Sequence, residues 1–262
     1  MFSFDGCFYR HIKRAGVAGG EKRAGEKRAG RRIGPERRLA ISPAFRYNAG
    51  MRKEFLQYDD MRDNVIKLAH EIYRDGFRPD VIYVSLRGGA YMGNIISEYF
   101  KIMHSGTRPV YYAAVVARSY ADVMDAESVR VDGWTYSPEY LRVGDRVLLV
   151  DEIFDSGRTI NHLAQIILDK GIPRGDLKIA VHDYKFFTDN PAPLPIQPDY
   201  WCRRHDISVN DAHWIHYMSH ELVGLSDEEF ETNYCGGEPE KRDADFVSAM
   251  RTLLDAGRGG KS

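Results

Sequence analysis

The 262 residues are 43% hydrophobic and 29% charged, enough to bury one substantial core with a small appendage. No apolar run approaches the length of a membrane span, and Cys7, Cys202 and Cys235 are too scattered for a disulfide framework or a zinc knuckle, so a reducing, cytoplasmic setting without membrane attachment is expected. The net charge of −1 conceals an asymmetry, because residues 1–50 hold 12 Lys/Arg against 4 Asp/Glu and the remainder 25 against 34; the basic arm lacks interleaved aromatics, which argues against nucleic acid as a partner.

Between Arg14 and Arg38 the chain is rich in Gly, Ala, Lys and Arg and repeats Glu-Lys-Arg-Ala-Gly in tandem, which predicts a disordered extension. Periodicity starts after Met51, so Met51 is the expected functional start and residues 1–50 a dispensable arm. Met61, Val65, Leu68 and Ile72 recur every three or four residues and predict a helix from Tyr58 to Tyr73, closed by Gly76 and Pro79. Asp80 to Leu86 reads as a buried strand. It runs into the Arg87-Gly88-Gly89 turn and a second helix carrying Met92, Ile96, Tyr99 and Met103. Paired glycines permit close backbone approach to a ligand and Arg87 supplies a cation, although such a turn is also a common structural device.

Pro109 to Ala117 is the next strand, followed by a polar stretch from Arg118 to Pro138 without clear periodicity, a length that predicts a functional lid or disorder. Val147 to Val150 then has the β-branched content of an interior parallel strand, with Asp151 and Glu152 at its carboxyl end. The turn Asp155-Ser156-Gly157-Arg158-Thr159 leads into a helix carrying Ile160, Leu163, Ala164 and Ile167. At such a helix start the backbone N–H groups favour a phosphate; the plainer alternative is a helix cap. Asp176 to His182 is a further strand, with Lys185 three residues on. Residues 184–221 hold four prolines and many aromatics, and are expected to leave the strand-helix alternation and form a hood. His205, His213, His216 and His220 lie there, but without a His-Glu-x-x-His pattern or paired cysteines zinc is disfavoured. Ala244 to Leu254, with Phe246, Val247, Met250, Leu253 and Leu254 on one face, predicts a terminal helix docking on the body or on a partner subunit.

Val147 to Thr159, four apolar residues, an acidic pair, two apolar residues and Asp-Ser-Gly-x-Thr, resembles the phosphoribosyl pyrophosphate signature of the type I phosphoribosyltransferases. The Arg87-Gly88-Gly89 turn is similar to the pyrophosphate loop of 6-oxopurine members, and Ser119-Tyr120 to the opening of their mobile catalytic loop. Lys185, Pro198-Asp199-Tyr200 and Trp214-Ile215 resemble, in order, the purine-binding parts of xanthine-guanine and hypoxanthine-guanine enzymes; the chain departs from them at Tyr217-Met218-Ser219-His220-Glu221.

The resemblance implies an α/β fold, a mainly parallel sheet flanked by helices with a small C-terminal hood. Residues 51–235 would form the domain, with the hood at about 184–235 and a helical tail over 236–262. It further implies purine salvage, in which a 6-oxopurine (hypoxanthine, guanine or xanthine) and phosphoribosyl pyrophosphate give the nucleoside 5′-monophosphate and pyrophosphate. Asp151 and Glu152 would hold the ribose hydroxyls and Mg²⁺, directly or through water, and Ser156, Gly157, Arg158 and Thr159 the 5′-phosphate. Asp155 would exchange a proton at purine N7, Lys185 would donate to O6, Trp214 would stack on the base and the Ile215 backbone would read its edge. Members of this kind assemble as dimers or tetramers. The competing expectation is a regulatory protein that binds phosphoribosyl pyrophosphate or a nucleotide without turnover.

Overall fold

A computed structural model describes residues 52–103, 108–119, 129–211, 213–222, 224–235 and 243–259. The expected arm and functional start at Met51 lie outside them. So do Tyr120 and the tip of the expected lid.

The chain forms β1 (Arg52–Leu56), α1 (Tyr58–Arg74), β2 (Val81–Leu86), α2 (Ala90–Met103), β3 (Tyr111–Ser119), β4 (Val129–Trp134) and β5 (Val147–Phe154). It continues with α3 (Arg158–Leu168), β6 (Leu177–Phe187), β7 (Tyr200–Ile207), β8 (His213–Tyr217), α4 (Asp227–Asn233) and α5 (Ala244–Gly259). Six strands make the main sheet in the order β4-β3-β2-β5-β6-β7, parallel throughout except for β4, which runs antiparallel to β3. This is the expected α/β architecture with a mainly parallel sheet.

Alternation along the central strands explains the two cores. Ile82, Val84, Leu148 and Val150 face α1 and α2, where Met61, Val65, Leu68, Ile72, Met92, Ile96 and Phe100 pack. Val81, Tyr83, Val147 and Leu149 point the other way, onto Ile160, Leu163, Ala164 and Ile167 of α3. Both faces are covered, which is why these strands read as continuous apolar runs instead of alternating ones. The helices after the neighbouring strands β2 and β5 therefore leave to opposite faces. That divergence opens a crevice at the carboxyl ends of the two strands.

Two expectations need correction. The supposed lid contains β4, an edge strand whose Val129 and Val131 alternate with Arg130 and Asp132. The hood region does not abandon the sheet: β7 pairs parallel with β6 from Ala180↔Tyr200 to Phe187↔Ile207. Its crossover contains no helix, and Asp199 holds the strand entry by accepting a hydrogen bond from Ile179 N at 2.9 Å and pairing with Lys178 and Arg174. The terminal helix α5 docks on the body by part of its apolar face. Met250 and Leu254 bury against Leu225, Phe230, Tyr234 and Cys235, whereas Phe246 and Leu253 are exposed. Beside the main sheet, β1 and β8 form a separate parallel pair with Arg52 opposite His213.

Candidate active site

A cavity of about 230 Å³ occupies the crevice. It is lined from β2 and its turn by Ser85, Arg87 and Gly88, and from β5 and its turn by Asp151, Glu152, Asp155, Ser156, Gly157 and Thr159. Sequence positions some 60 residues apart are brought together because β2 and β5 are neighbours in register from Val81↔Val147 to Val84↔Val150.

The two turns are built for close approach. The Leu86–Arg87 peptide is cis. A Cβ on Gly89 would lie 2.8 Å from Ser85 O, 2.9 Å from Val150 O and 3.0 Å from the Asp151 Cα, so the β2 turn rests directly on the β5 backbone. Gly157 has φ +76° at the start of α3, and a Cβ there would also meet the Phe154 ring. Gly157 has no side chain to cap this helix start, Ser156 Oγ accepts from Arg158 N only at 3.5 Å, and no acidic residue occupies the first turn, which leaves the amide dipoles directed at the cavity side of the turn. Asn161 braces it, donating to Gly157 O and Ile196 O and accepting from Ile196 N, and thereby ties the turn to the β6–β7 crossover.

Burial, together with the Glu152 charge, pushes the Asp151 carboxyl well above its usual range, while a Ser85 hydrogen bond works in the opposite sense. Glu152 Oε2 is buried and has no hydrogen-bond partner among the described residues. Two adjacent oxygen donors, one desolvated and one unpartnered, fit a hard divalent cation such as Mg²⁺. At the edge of the cavity the exposed Asp155 pairs with the buried Lys185, Oδ1 to Nζ at 3.0 Å. The same ammonium donates to His213 O at 2.9 Å, which links it to β8.

Other expected residues lie apart from the cavity. Gly89 sits behind its floor and Arg158 opens α3 on the exposed side. From β3 the cavity is lined by Ala117, two residues before Ser119. Ile215 is buried in the core and Trp214 lies half-buried on β8. The segment where the sequence departs from purine enzymes packs beside the acidic pair: the Tyr217 hydroxyl lies 3.1 Å from Glu152 O and 2.8 Å from Asp183 Oδ2.

Asp183 was not singled out in the sequence. It is fully buried, and burial alone would raise its pKa, yet hydrogen bonds from His182 and His205 and the Arg203 charge hold it well below the usual carboxylate range. The sequence signal was an acid near the middle of a mostly apolar strand, two residues before Lys185.

A family model described as phosphoribosyl transferase domain matches residues 51–183. The Bifunctional protein PyrR of Microcystis aeruginosa is 26% identical over 149 residues, covering 56% of this chain and 80% of that protein. A purine phosphoribosyltransferase from Pyrococcus horikoshii superposes with TM-score 0.50 at 20% identity, over 66% of this chain and 98% of its own. A hypothetical protein from Neisseria gonorrhoeae with bound ppGpp also gives 0.50 at 20% identity, over 71% and 98%. Both structures share the fold.

Proposed function

The chain belongs to the type I phosphoribosyltransferase family, and from that premise we propose that it salvages 6-oxopurines, transferring the phosphoribosyl group of phosphoribosyl pyrophosphate to hypoxanthine, guanine or xanthine. The observation that carries the choice of base is the Asp155–Lys185 pair at 3.0 Å on the edge of the cavity. A carboxylate and an ammonium side by side match the imidazole N7 and the O6 acceptor of a 6-oxopurine. An exocyclic amino group in place of O6 would offer Lys185 only more donors.

In the proposed reaction purine N9 bonds to C1′ as the bond from C1′ to the pyrophosphate oxygen breaks, and pyrophosphate leaves with the electron pair. The ribose passes through a cation of oxocarbenium character. Asp151 and Glu152 hold the ribose hydroxyls and favour that positive charge. The start of α3, Ser156 to Thr159, grips the 5′-phosphate and orients the reacting carbon from a distance. Arg87 with the Gly88-Gly89 turn receives the pyrophosphate, and Ser119-Tyr120 opens the segment that excludes water. Asp155 takes the proton released as the purine changes its pattern of protonation. Trp214 stacks on the base and the Ile215 backbone reads its edge. Mg²⁺ held by Asp151 and Glu152 would neutralise charge building on the pyrophosphate. A homo-oligomer, dimer or tetramer, in the cytoplasm belongs to the same proposal, and sedimentation tests its assembly. Among the described residues no helix is long and apolar enough to cross a membrane.

The test is pyrophosphate release with hypoxanthine, guanine, xanthine, adenine and orotate, each with Mg²⁺ and phosphoribosyl pyrophosphate. Turnover is expected with at least one 6-oxopurine and not with adenine or orotate; none with any 6-oxopurine removes the proposal. The second reading, a binding protein without turnover, is favoured by Asp155 and Lys185 already satisfying each other. It predicts tight ligand binding and no pyrophosphate in the same assay.

A further inference from the structure

Three strands, one within the matched residues 51–183 and two beyond them, converge on a second cluster. Glu54 of β1, His205 of β7 and His213 of β8 each place one ligating atom within 4.8 Å of the other two. The set is two imidazoles and a carboxylate, the donor composition of three-ligand zinc sites that keep a fourth position open. None of the residues proposed to handle phosphoribosyl pyrophosphate belongs to it.

The surroundings prepare these groups as ligands. His213 Nε2 is buried, makes no hydrogen bond among the described residues, and lies 3.2 Å from Glu54 Oε2. The other oxygen of Glu54 is taken by Arg203, which orients the carboxylate and leaves Oε2 on the side of the imidazole. His205 is oriented in turn by the buried Asp183, whose Oδ1 lies 2.7 Å from Nε2. A carboxylate behind a histidine fixes its tautomer, so that Nδ1 carries the lone pair, and raises its basicity toward a metal. The rings of His205 and His213 stand edge to face with centroids 5.3 Å apart, close enough to share one ion.

We propose that Glu54, His205 and His213 form a binding site for a borderline-soft divalent metal of the Zn²⁺ class, distinct from the oxygen-lined Asp151–Glu152 pair. Two nitrogen donors select against Mg²⁺, which prefers oxygen and retains its waters. The ion joins the β1–β8 pair to the edge of the main sheet. It thereby fixes the position of the His213 carbonyl that anchors Lys185.

The experiment uses the full chain and Zn²⁺ alone, by competition against a chromophoric chelator, with Co²⁺ as the spectroscopic probe. One equivalent of Zn²⁺ is expected to bind in the presence of excess Mg²⁺. Glu54→Gln and His213→Gln should each weaken it at least tenfold, and Asp151→Asn should leave it unchanged. The Co²⁺ protein should show the d–d bands of a low-coordinate nitrogen and oxygen site, without thiolate charge-transfer absorption. That spectrum is read on the unaltered chain, so it decides the matter even where a variant fails to fold. Absence of stoichiometric binding overturns the proposal. Undiminished binding in the folded Glu54 and His213 variants, loss in Asp151→Asn, or a thiolate signature does the same.

Discussion

The neighbouring glycines of the β2 turn should respond to the same substitution in opposite ways. In Gly89→Ala the new methyl meets only backbone, at 2.8 Å from Ser85 O, 2.9 Å from Val150 O and 3.0 Å from the Asp151 Cα, and backbone within a paired sheet cannot yield cheaply. Overpacking of this kind costs about 1–3 kcal/mol. At about 2–4 °C per kcal/mol for a domain of this size, Tm should fall by about 2–12 °C. In Gly88→Ala the methyl would sit 1.7–2.0 Å from the Glu152 carboxyl group, the far end of a flexible side chain that can turn away. Stability should then change by no more than about 0.5 kcal/mol, while the displaced carboxylate lowers pyrophosphate release on the order of 10²-fold. Thermal unfolding and the release assay on both variants check the pair. Wild-type Tm in Gly89→Ala, or wild-type turnover in Gly88→Ala, would show that the contacts do not constrain the turn as argued.

Asp155→Asn should cut turnover by roughly 10²–10⁴-fold, the usual effect of losing an acid/base group, while binding of phosphoribosyl pyrophosphate in a calorimeter stays intact; unchanged turnover would remove Asp155 from the proton transfer. Glu221 offers a pH test. Burial raises its pKa from 4.5 to about 7, against hydrogen bonds from Tyr217 N and Trp214. A raised folded value means that this carboxyl contributes stability below about 4.5 which disappears as the pH rises through 7. Glu221→Gln should therefore flatten the decline in denaturant-measured stability across that window, and parallel curves for the two proteins would refute the linkage.

What the sequence made legible follows from burial. Strands β2 and β5 are covered on both faces, so their apolar runs are continuous, and α1 and α3 bury one stripe each, so their periodicity is clear. The motif turn joins two such elements, and its residues could be read in place. Strand β7 was missed because Arg203 and His205 point inward to meet Asp183, so no apolar alternation marks it. Strand β4 was missed because an edge strand alternates charge with valine. In the sequence His216 and His220 stand four apart, the spacing that would pair them on a helix. Instead His216 is buried against Tyr234, and His213 finds its neighbours in His205 and Glu54, from strands that only the folded chain brings near. The Asp155–Lys185 contact has the same origin: β5 and β6 are adjacent, and nothing in the spacing states it.

The pairing of Arg52 with His213 bears on the order in which the protein is made. Strands β2 to β6 can assemble on one another as they leave the ribosome, since β3 pairs with β2, β4 with β3, β5 with β2 and β6 with β5, each soon after it emerges. Strand β1 emerges before all of them and has no partner until β8 follows at the far end of the domain. For most of translation it is an unpaired strand, the state most open to pairing with another chain. The backbone that holds Lys185 is therefore among the last parts of the molecule to be secured during synthesis.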